Sequence, residues 1–345
     1  MQKVRRFAMA SLMGLTLPAF AAKLPDTLFQ SDEVLSVELT APISTLIRER
    51  PQEKYLEASF TFKDADGTWV KLDSGIRARG NFRHRNCDFP PLTLNFKKSQ
   101  VEGTIFENQD KMKMVVHCKD SGRYAQAVLQ EYLAYRLLNA LTDQSFRVRL
   151  LEVGYEDSDE RRSRMARYAF LIEHKNRLAH RIGRKSLDIE QTEISAIQPD
   201  HLNLTSLFQF LIGNTDFSPI EGGHDECCHN YDLFAKGADP LLSVPYDFDH
   251  SGFVNAPYAQ PAEWVDIKNV RQRAYLGYCV NNPFVEGSIA RFHQVRGELY
   301  VLVAELQGLE SSVRDRLTRY MDEFFEIIGE PEEIEGKIIG ECVAE

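Results

Sequence analysis

The sequence predicts a two-lobed α+β protein, with a β-rich first lobe and one long helix over residues 22–175, then a helix-rich second lobe over residues 176–345. Three observations lead there. Strand-like segments crowd the region before residue 118, a single stretch at residues 123–141 is apolar on most sides at helical spacing, and beyond residue 175 amphipathic helices alternate with polar loops. A cleft between two such lobes is a common place for a ligand site.

Taken in order, the chain opens with Lys3, Arg5 and Arg6, an apolar run from Phe7 to Leu17, and the small residues Ala19 and Ala21. That is the layout of a cleavable secretory signal over residues 1–21, so the protein is expected to be exported, to the periplasm or beyond. The run falls short of the about 20 apolar residues that cross a bilayer, and no later segment is longer, so no membrane span is expected.

Leu56–Phe62, Trp69–Gly80, Pro91–Phe96 and Lys111–Cys118 alternate or run apolar, with Asp66-Gly67 as a hairpin turn, and predict an antiparallel sheet. In the helix at Arg123–Leu141, leucines recur at 129, 133, 137 and 141 and Glu131 is the only acid. A helix apolar on most sides is buried, so Glu131 must meet a cation or hold its proton. Strands at Phe146–Val153 and Ala166–Glu173 flank a charged loop with Arg161, Arg162 and Arg164. Helices are expected at Leu202–Ile212, Ile267–Leu276, Ser288–Leu306 and Ser311–Ile328, and the acidic stretch Glu330–Glu335 reads as a solvated face.

Loss of the first 21 residues, which carry three Lys/Arg and no acid, moves the formal charge from -10 to -13. Such a chain is a poor match for nucleic acid or anionic lipid. The six cysteines of an exported chain suggest disulfides, with Cys87–Cys118 preferred and one of Cys227 or Cys228 joined to Cys279. His224, Cys227, Cys228 and His229 lack the paired CxxC spacing of a zinc site, and Ser251-Gly252 lacks the GxSxG frame of a nucleophile elbow.

The densest polar segment runs from Gly213 to Asn255. Asp216 stands where a helix hands over to a loop. Asn230 opens a strand, the chain turns near Gly237, and Leu241–Val244 returns to deliver Asp247 and Asp249, so a hairpin brings Asn230 and Asp247 together. An Asn and an Asp offer hard oxygen donors suited to Mg²⁺ with retained waters, and Asp216 could accept or orient a hydroxyl proton. Those are the parts that phosphoryl transfer requires. The bland reading, in which all three are cap and turn residues, stands beside it.

Gly213-Asn214-Thr215-Asp216, His229-Asn230-Tyr231 and Pro245-Tyr246-Asp247-Phe248-Asp249 resemble the GNxD segment, downstream Asn and PYDxD segment of the CotH-type secreted atypical kinases, and Gly75–Asn81 resembles that family's RGN segment. The resemblance spans residues 75–255 through short motifs in order. It implies a protein-kinase-like fold that binds ATP with Mg²⁺ or Mn²⁺ and phosphorylates Ser or Thr of an envelope or secreted protein. Asp216 would be the catalytic Asp, Asn230 and Asp247 the metal ligands, and Asp249 a further metal or structural carboxylate. Glu131 would match the helix Glu that pairs with a strand Lys, and Arg79 would lie near the phosphates. This chain departs from the family where Pro90-Pro91 replace lysines before the next strand, with Lys97 and Lys98 at the strand's far end, so Arg77 or Arg79 would take the phosphate role. Alternatives are a non-catalytic envelope module on the same scaffold, or a metal-dependent phosphohydrolase.

Overall fold

The computed structural model describes residues 26–222 and 227–344, so the expected signal segment and His224 lie outside the described residues. The chain has a mixed α+β fold. Its first part is a barrel of β1 (Leu35–Ala41), β2 (Leu56–Lys63), β3 (Trp69–Ala78), β4 (Leu92–Phe96), β5 (Lys111–Val115), β6 (Val148–Asp157) and β7 (Met165–Ile172). Short helices α1 (Ile43–Glu49), α2 (Phe82–Asn86) and α3 (Lys98–Val101) sit in its connections, and the long α4 (Gly122–Leu141) runs between β5 and β6.

The barrel closes in the order β1-β2-β3-β4-β5-β7-β6, where an antiparallel sheet was expected from the sequence. Every neighbouring pair is antiparallel except β1 and β6, which run parallel with Leu35 opposite Leu151 and Ala41 opposite Asp157. The alternation along each strand fills the interior: Phe60, Phe62, Ile76, Leu94, Met112 and Met114 are at most 1% exposed. Four of the barrel's rings, Phe60, Phe62, Phe96 and Phe106, pack with centroids 4.6–6.2 Å apart. The other face of β3, β4 and β5 carries a lateral row in which Arg77 opposes Thr93 and Thr93 opposes Lys113.

Beyond the barrel come α5 (Lys175–Arg181), β8 (Lys185–Leu187), α6 (Pro199–Ile212), β9 (Tyr231–Ala235), β10 (Leu242–Pro245), α7 (Val285–Glu305) and α8 (Ser311–Ile327). Strands β8, β9 and β10 form a small antiparallel sheet. A second core joins α4 to α6, α7 and α8 through Leu133, Leu137, Phe208, Leu211, Phe292 and Phe324. Because α4 is buried along nearly its whole length, it packs on both the barrel and the helices.

Two expectations are corrected. Ile267–Leu276 forms turns instead of a helix, because side chains take the backbone donors: Gln272 Oε1 accepts from Lys268 N at 2.6 Å and Asn269 Oδ1 from Arg271 N at 3.0 Å. Cys87 does pair with Cys118, but Cys279 pairs with Cys342, while Cys227 joins its neighbour Cys228. The C-terminal tail sets that pairing. Tyr278 and Val343 form a parallel bridge, Cys279 N donates to Val343 O at 3.0 Å, and the two Cα atoms stand 5.0 Å apart. Among the described residues no helix is long and apolar enough to cross a membrane.

Candidate functional site

Helix α6 ends at Gly213, whose φ of 60° is the left-handed conformation that closes a helix. Glycine is needed there for space as well, since a Cβ would run into Tyr320 Oη. The next residues are locked by their side chains. Asn214 Nδ2 donates to Gln209 Oε1 at 3.0 Å, its Oδ1 accepts from Asp216 N at 3.1 Å, and Thr215 Oγ1 accepts from Ala262 N at 3.1 Å. Asp216 is thereby held at a fixed angle at the helix end.

Asp216 does not stand alone. His229 Nε2 lies 2.8 Å from its Oδ1, and Asn230 Nδ2 donates to its backbone oxygen at 2.6 Å and to Oδ2 at 3.2 Å. A bridge between Ser218 and His229 returns the intervening loop to this point. Burial alone would raise the Asp216 carboxyl; the bond and charge of His229, the charge of His250 and the Asn230 amide outweigh it and hold it below the usual value. His229 is raised in turn by its bond to Asp216, against the effect of burial.

The hairpin of β9 and β10 sets Tyr231 opposite Pro245, and Tyr246 N donates to Asn230 O at 2.9 Å, so Asn230 and Asp247 emerge at the same end. Both adopt left-handed backbone, with φ of 57° and 62°, which Asn and Asp tolerate better than other side chains. Asp247 N donates to Tyr135 Oη on α4 at 2.9 Å. Burial raises the Asp247 carboxyl and Asp249 adds to it, while Arg79, Arg83 and Lys113 oppose the rise.

Behind this hairpin lies a buried ion cluster. Arg83 Nη1 is 3.3 Å from Glu131 Oε2 and 3.7 Å from Asp249 Oδ2, its Nη2 donates to Val116 O at 2.5 Å, and Tyr258 Oη donates to Asp249 Oδ2 at 2.8 Å. The cation facing Glu131 is therefore Arg83 on α2, where the family resemblance implied a strand lysine. Burial would lower Arg83, but Tyr258, Glu131, Asp249 and Asp247 outweigh it and keep the guanidinium charged. Burial pushes Glu131 well above the carboxylate range, with Arg83 opposing. Asp249 sits in this cluster and not at the open end of the hairpin.

Arg79 and Lys113 face Asp247 from the barrel, and with Tyr135, Glu173 and Tyr246 they surround the gap beside it. Lys113 lies over the Tyr246 ring at 4.8 Å, and burial, with Arg79, lowers its pKa. Arg77, on the same face of β3, is drawn aside by stacking over Tyr55 at 5.1 Å. So Asp216, Asn230, Asp247 and Arg79 converge, while Glu131 and Asp249 support them from behind and Arg77 stands apart. The sequence reading had not singled out Lys113, Arg83, Tyr258 or a bond from His229 to Asp216. Of these only Lys113 carried a usable signal, since Lys111 and Lys113 alternate with the inward Met112 and Met114.

The donor set fits a hard divalent cation in chemistry. Asn230 turns its Nδ2 to Asp216, which leaves its oxygen as a donor at the hairpin end that also carries the Asp247 carboxylate; Mg²⁺ bound by two protein oxygens would complete its shell with water and phosphate. Among the described residues no three His, Cys, Asp or Glu side chains gather as a closed metal site.

No protein-family model matches the chain, and no curated protein matches it. Among solved structures it is similar to the crystal structure of a Helicobacter pylori proinflammatory kinase, CtkA, at 12% identity and a TM-score of 0.42, over 75% of this chain and 94% of that one.

Proposed function

We propose that this is an exported, kinase-like phosphotransferase of the CotH type that takes ATP with Mg²⁺ or Mn²⁺ and phosphorylates Ser or Thr of an envelope or secreted protein. The observation that carries the reading is the convergence of Asp216, Asn230 and Asp247 at one end of the β9–β10 hairpin, with Arg79 and Lys113 facing them. A divalent ion at Asn230 and Asp247 would neutralise phosphate oxygens. Arg79 and Lys113 supply fixed positive charge for the β- and γ-phosphates, and Glu131 with Arg83 braces the hairpin from α4. Asp216 orients the acceptor hydroxyl and takes its proton as the new O–P bond forms, the bond from the γ-phosphorus to its bridging oxygen breaks, and ADP leaves with that electron pair. His229, 2.8 Å from Asp216 Oδ1, favours the ionised carboxylate that this role needs.

The test is a melting curve of the disulfide-intact protein titrated with ATP and Mg²⁺ or Mn²⁺. A ligand that binds only the native state raises the melting point, by about 2.7 kcal/mol of stability at a hundredfold excess over Kd. The metal-dependent part of the rise should vanish in Asp247→Ala and in Asp216→Ala; an unaltered metal-dependent rise in both would sink the assignment.

One observation favours a second reading, a non-catalytic envelope module that keeps the scaffold. The space among Arg79, Lys113, Tyr135, Glu173, Tyr246 and Asp247 is about 10 Å³, whereas ligand pockets run to roughly 300–1,000 Å³. The phosphotransferase reading therefore requires the barrel face to move away from the hairpin when nucleotide enters.

A further inference from the structure

On the side of Asp216 away from the barrel lies a groove of about 1020 Å³. Its apolar lining comes from separate parts of the chain: Ile194, Ile220, Trp264, Leu276, Tyr278 and Val343. Ile194 and Ile220 belong to a small core of their own with Ile197 and Leu202, which makes this wall firm. Val343 is pinned by the Cys279–Cys342 disulfide and by the bridge to Tyr278, so the C-terminal tail forms the opposite wall as a fixed part of the fold. Trp264 is 66% exposed, a large ring left in water beside other apolar surface.

The charges are one-sided. Among the described residues the acidic side chains of the lining are Glu193, Asp216 and Glu221; His229 is bonded to Asp216, and no Lys or Arg contributes. A groove with an apolar floor, an aromatic rim and two carboxylates on the paired segments of one wall suits a chain that carries a cation next to an apolar side chain. It is also continuous with the proposed reaction site, since Asp216 and His229 lie in its wall.

We propose that this groove is the acceptor seat, and that its occupant is an extended polypeptide with Lys or Arg beside a large apolar residue and a Ser or Thr presented to Asp216. The apolar residue packs against Trp264 and Ile220, and the cation meets Glu193 and Glu221. The assignment of Asp216 as the proton acceptor rests on the phosphotransferase reading; the choice of a basic, apolar segment rests on the groove alone.

The experiment uses the disulfide-intact protein without nucleotide and two fluorescein-labelled peptides of equal length. Each has a central Ser next to Leu, flanked in one by Arg and in the other by Glu. Fluorescence anisotropy should give the Arg peptide about tenfold tighter binding, the size that two exposed charge pairs can supply. Glu193→Lys with Glu221→Lys should reverse the order, and Trp264→Ala should weaken both peptides while the melting point stays that of the parent. Equal affinity for the two peptides, or an order that survives the double charge reversal, overturns the proposal. The melting response to ATP and Mg²⁺ is read on the same samples. Selective peptide binding with no nucleotide response leaves the groove standing and removes the phosphotransferase reading; a nucleotide response without peptide selectivity does the opposite.

Discussion

Replacing Arg83 by Met should destabilise the protein by about 3–5 kcal/mol, the range for removing one partner of a buried ion pair. The structure explains the size. Arg83 Nη1 is 3.3 Å from Glu131 and 3.7 Å from Asp249, with side-chain exposures of 10%, 2% and 6%. At an effective dielectric of about 20, these separations correspond to ~5 and ~4 kcal/mol of gross attraction, most of which offsets the cost of burying the three charges. Met keeps the volume and loses the charge, leaving two buried carboxylates without their counter-ion and the Val116 carbonyl without its donor. At roughly 2 °C per kcal/mol for a chain of this size, the melting point should fall by about 6–10 °C. The pH dependence is diagnostic. Glu131 is already raised in the folded protein, and removing Arg83 raises it further, so the variant's deficit should grow as pH rises above the parent's own folded Glu131 pKa and shrink below it, where Glu131 is neutral in both proteins. Adding Glu131→Gln to Arg83→Met should therefore recover part of the loss at pH 7. A deficit below about 1 kcal/mol, or one independent of pH, would refute the view of this cluster as a buried, mutually dependent ion network.

Two further outcomes follow from the same physics. His117 and His201 are buried and depressed from 6.5 to about 4, so protons bind the unfolded chain first. Stability should fall as pH drops from 6.5 toward 4 by roughly 3 kcal/mol for each, and His201→Gln should flatten the decline in a series of melting curves. Cys279→Ser with Cys342→Ser opens a linkage spanning 63 residues, worth about 4 kcal/mol in the chain-entropy account, and should free the tail to proteolysis; an unchanged melting point and digestion pattern would show that the tail is held without the bond.

Much of the local structure was legible because it is written in short-range pattern. The leucines of α4, the alternation in Leu56–Lys63 and the Asp66-Gly67 turn each depend on neighbours a few residues apart. Barrel closure was not, since the parallel pairing of β1 with β6 joins residues more than a hundred positions apart and no local signal marks it. The same applies at the site. Asp216, Asn230 and Asp247 fall within one hairpin and its approach, so spacing alone could suggest that they meet. Arg83 reaches Glu131 only through the packing of α2 on α4, and in a segment reading Arg83-His84-Arg85 nothing distinguishes the buried cation from its exposed neighbour. The helix expected at Ile267–Leu276 failed for a related reason: its apolar spacing is real, but Asn269 and Gln272 offer the backbone a competing set of bonds.

The charge arrangement makes one more demand on the proposed activity. Arg83 is committed to Glu131 and Asp249, so the raised Asp247 carboxyl depends on Arg79 and Lys113 across the gap for compensation. Those two are also the cations best placed to meet phosphate. A nucleotide entering without a divalent ion would draw them from Asp247 and leave a half-buried carboxylate facing additional negative charge, at a cost comparable to what the new contacts gain. Nucleotide binding should therefore be obligately linked to metal: ATP with a chelator should leave the melting point unmoved, and ATP with Mg²⁺ should raise it. Asp247→Asn removes the charge that creates the conflict, so it should permit metal-free ATP to bind while weakening the Mg²⁺-dependent response. Equal stabilisation of the parent with and without Mg²⁺ would mean that Arg79 and Lys113 are not shared between Asp247 and phosphate, and would place any nucleotide elsewhere on the molecule.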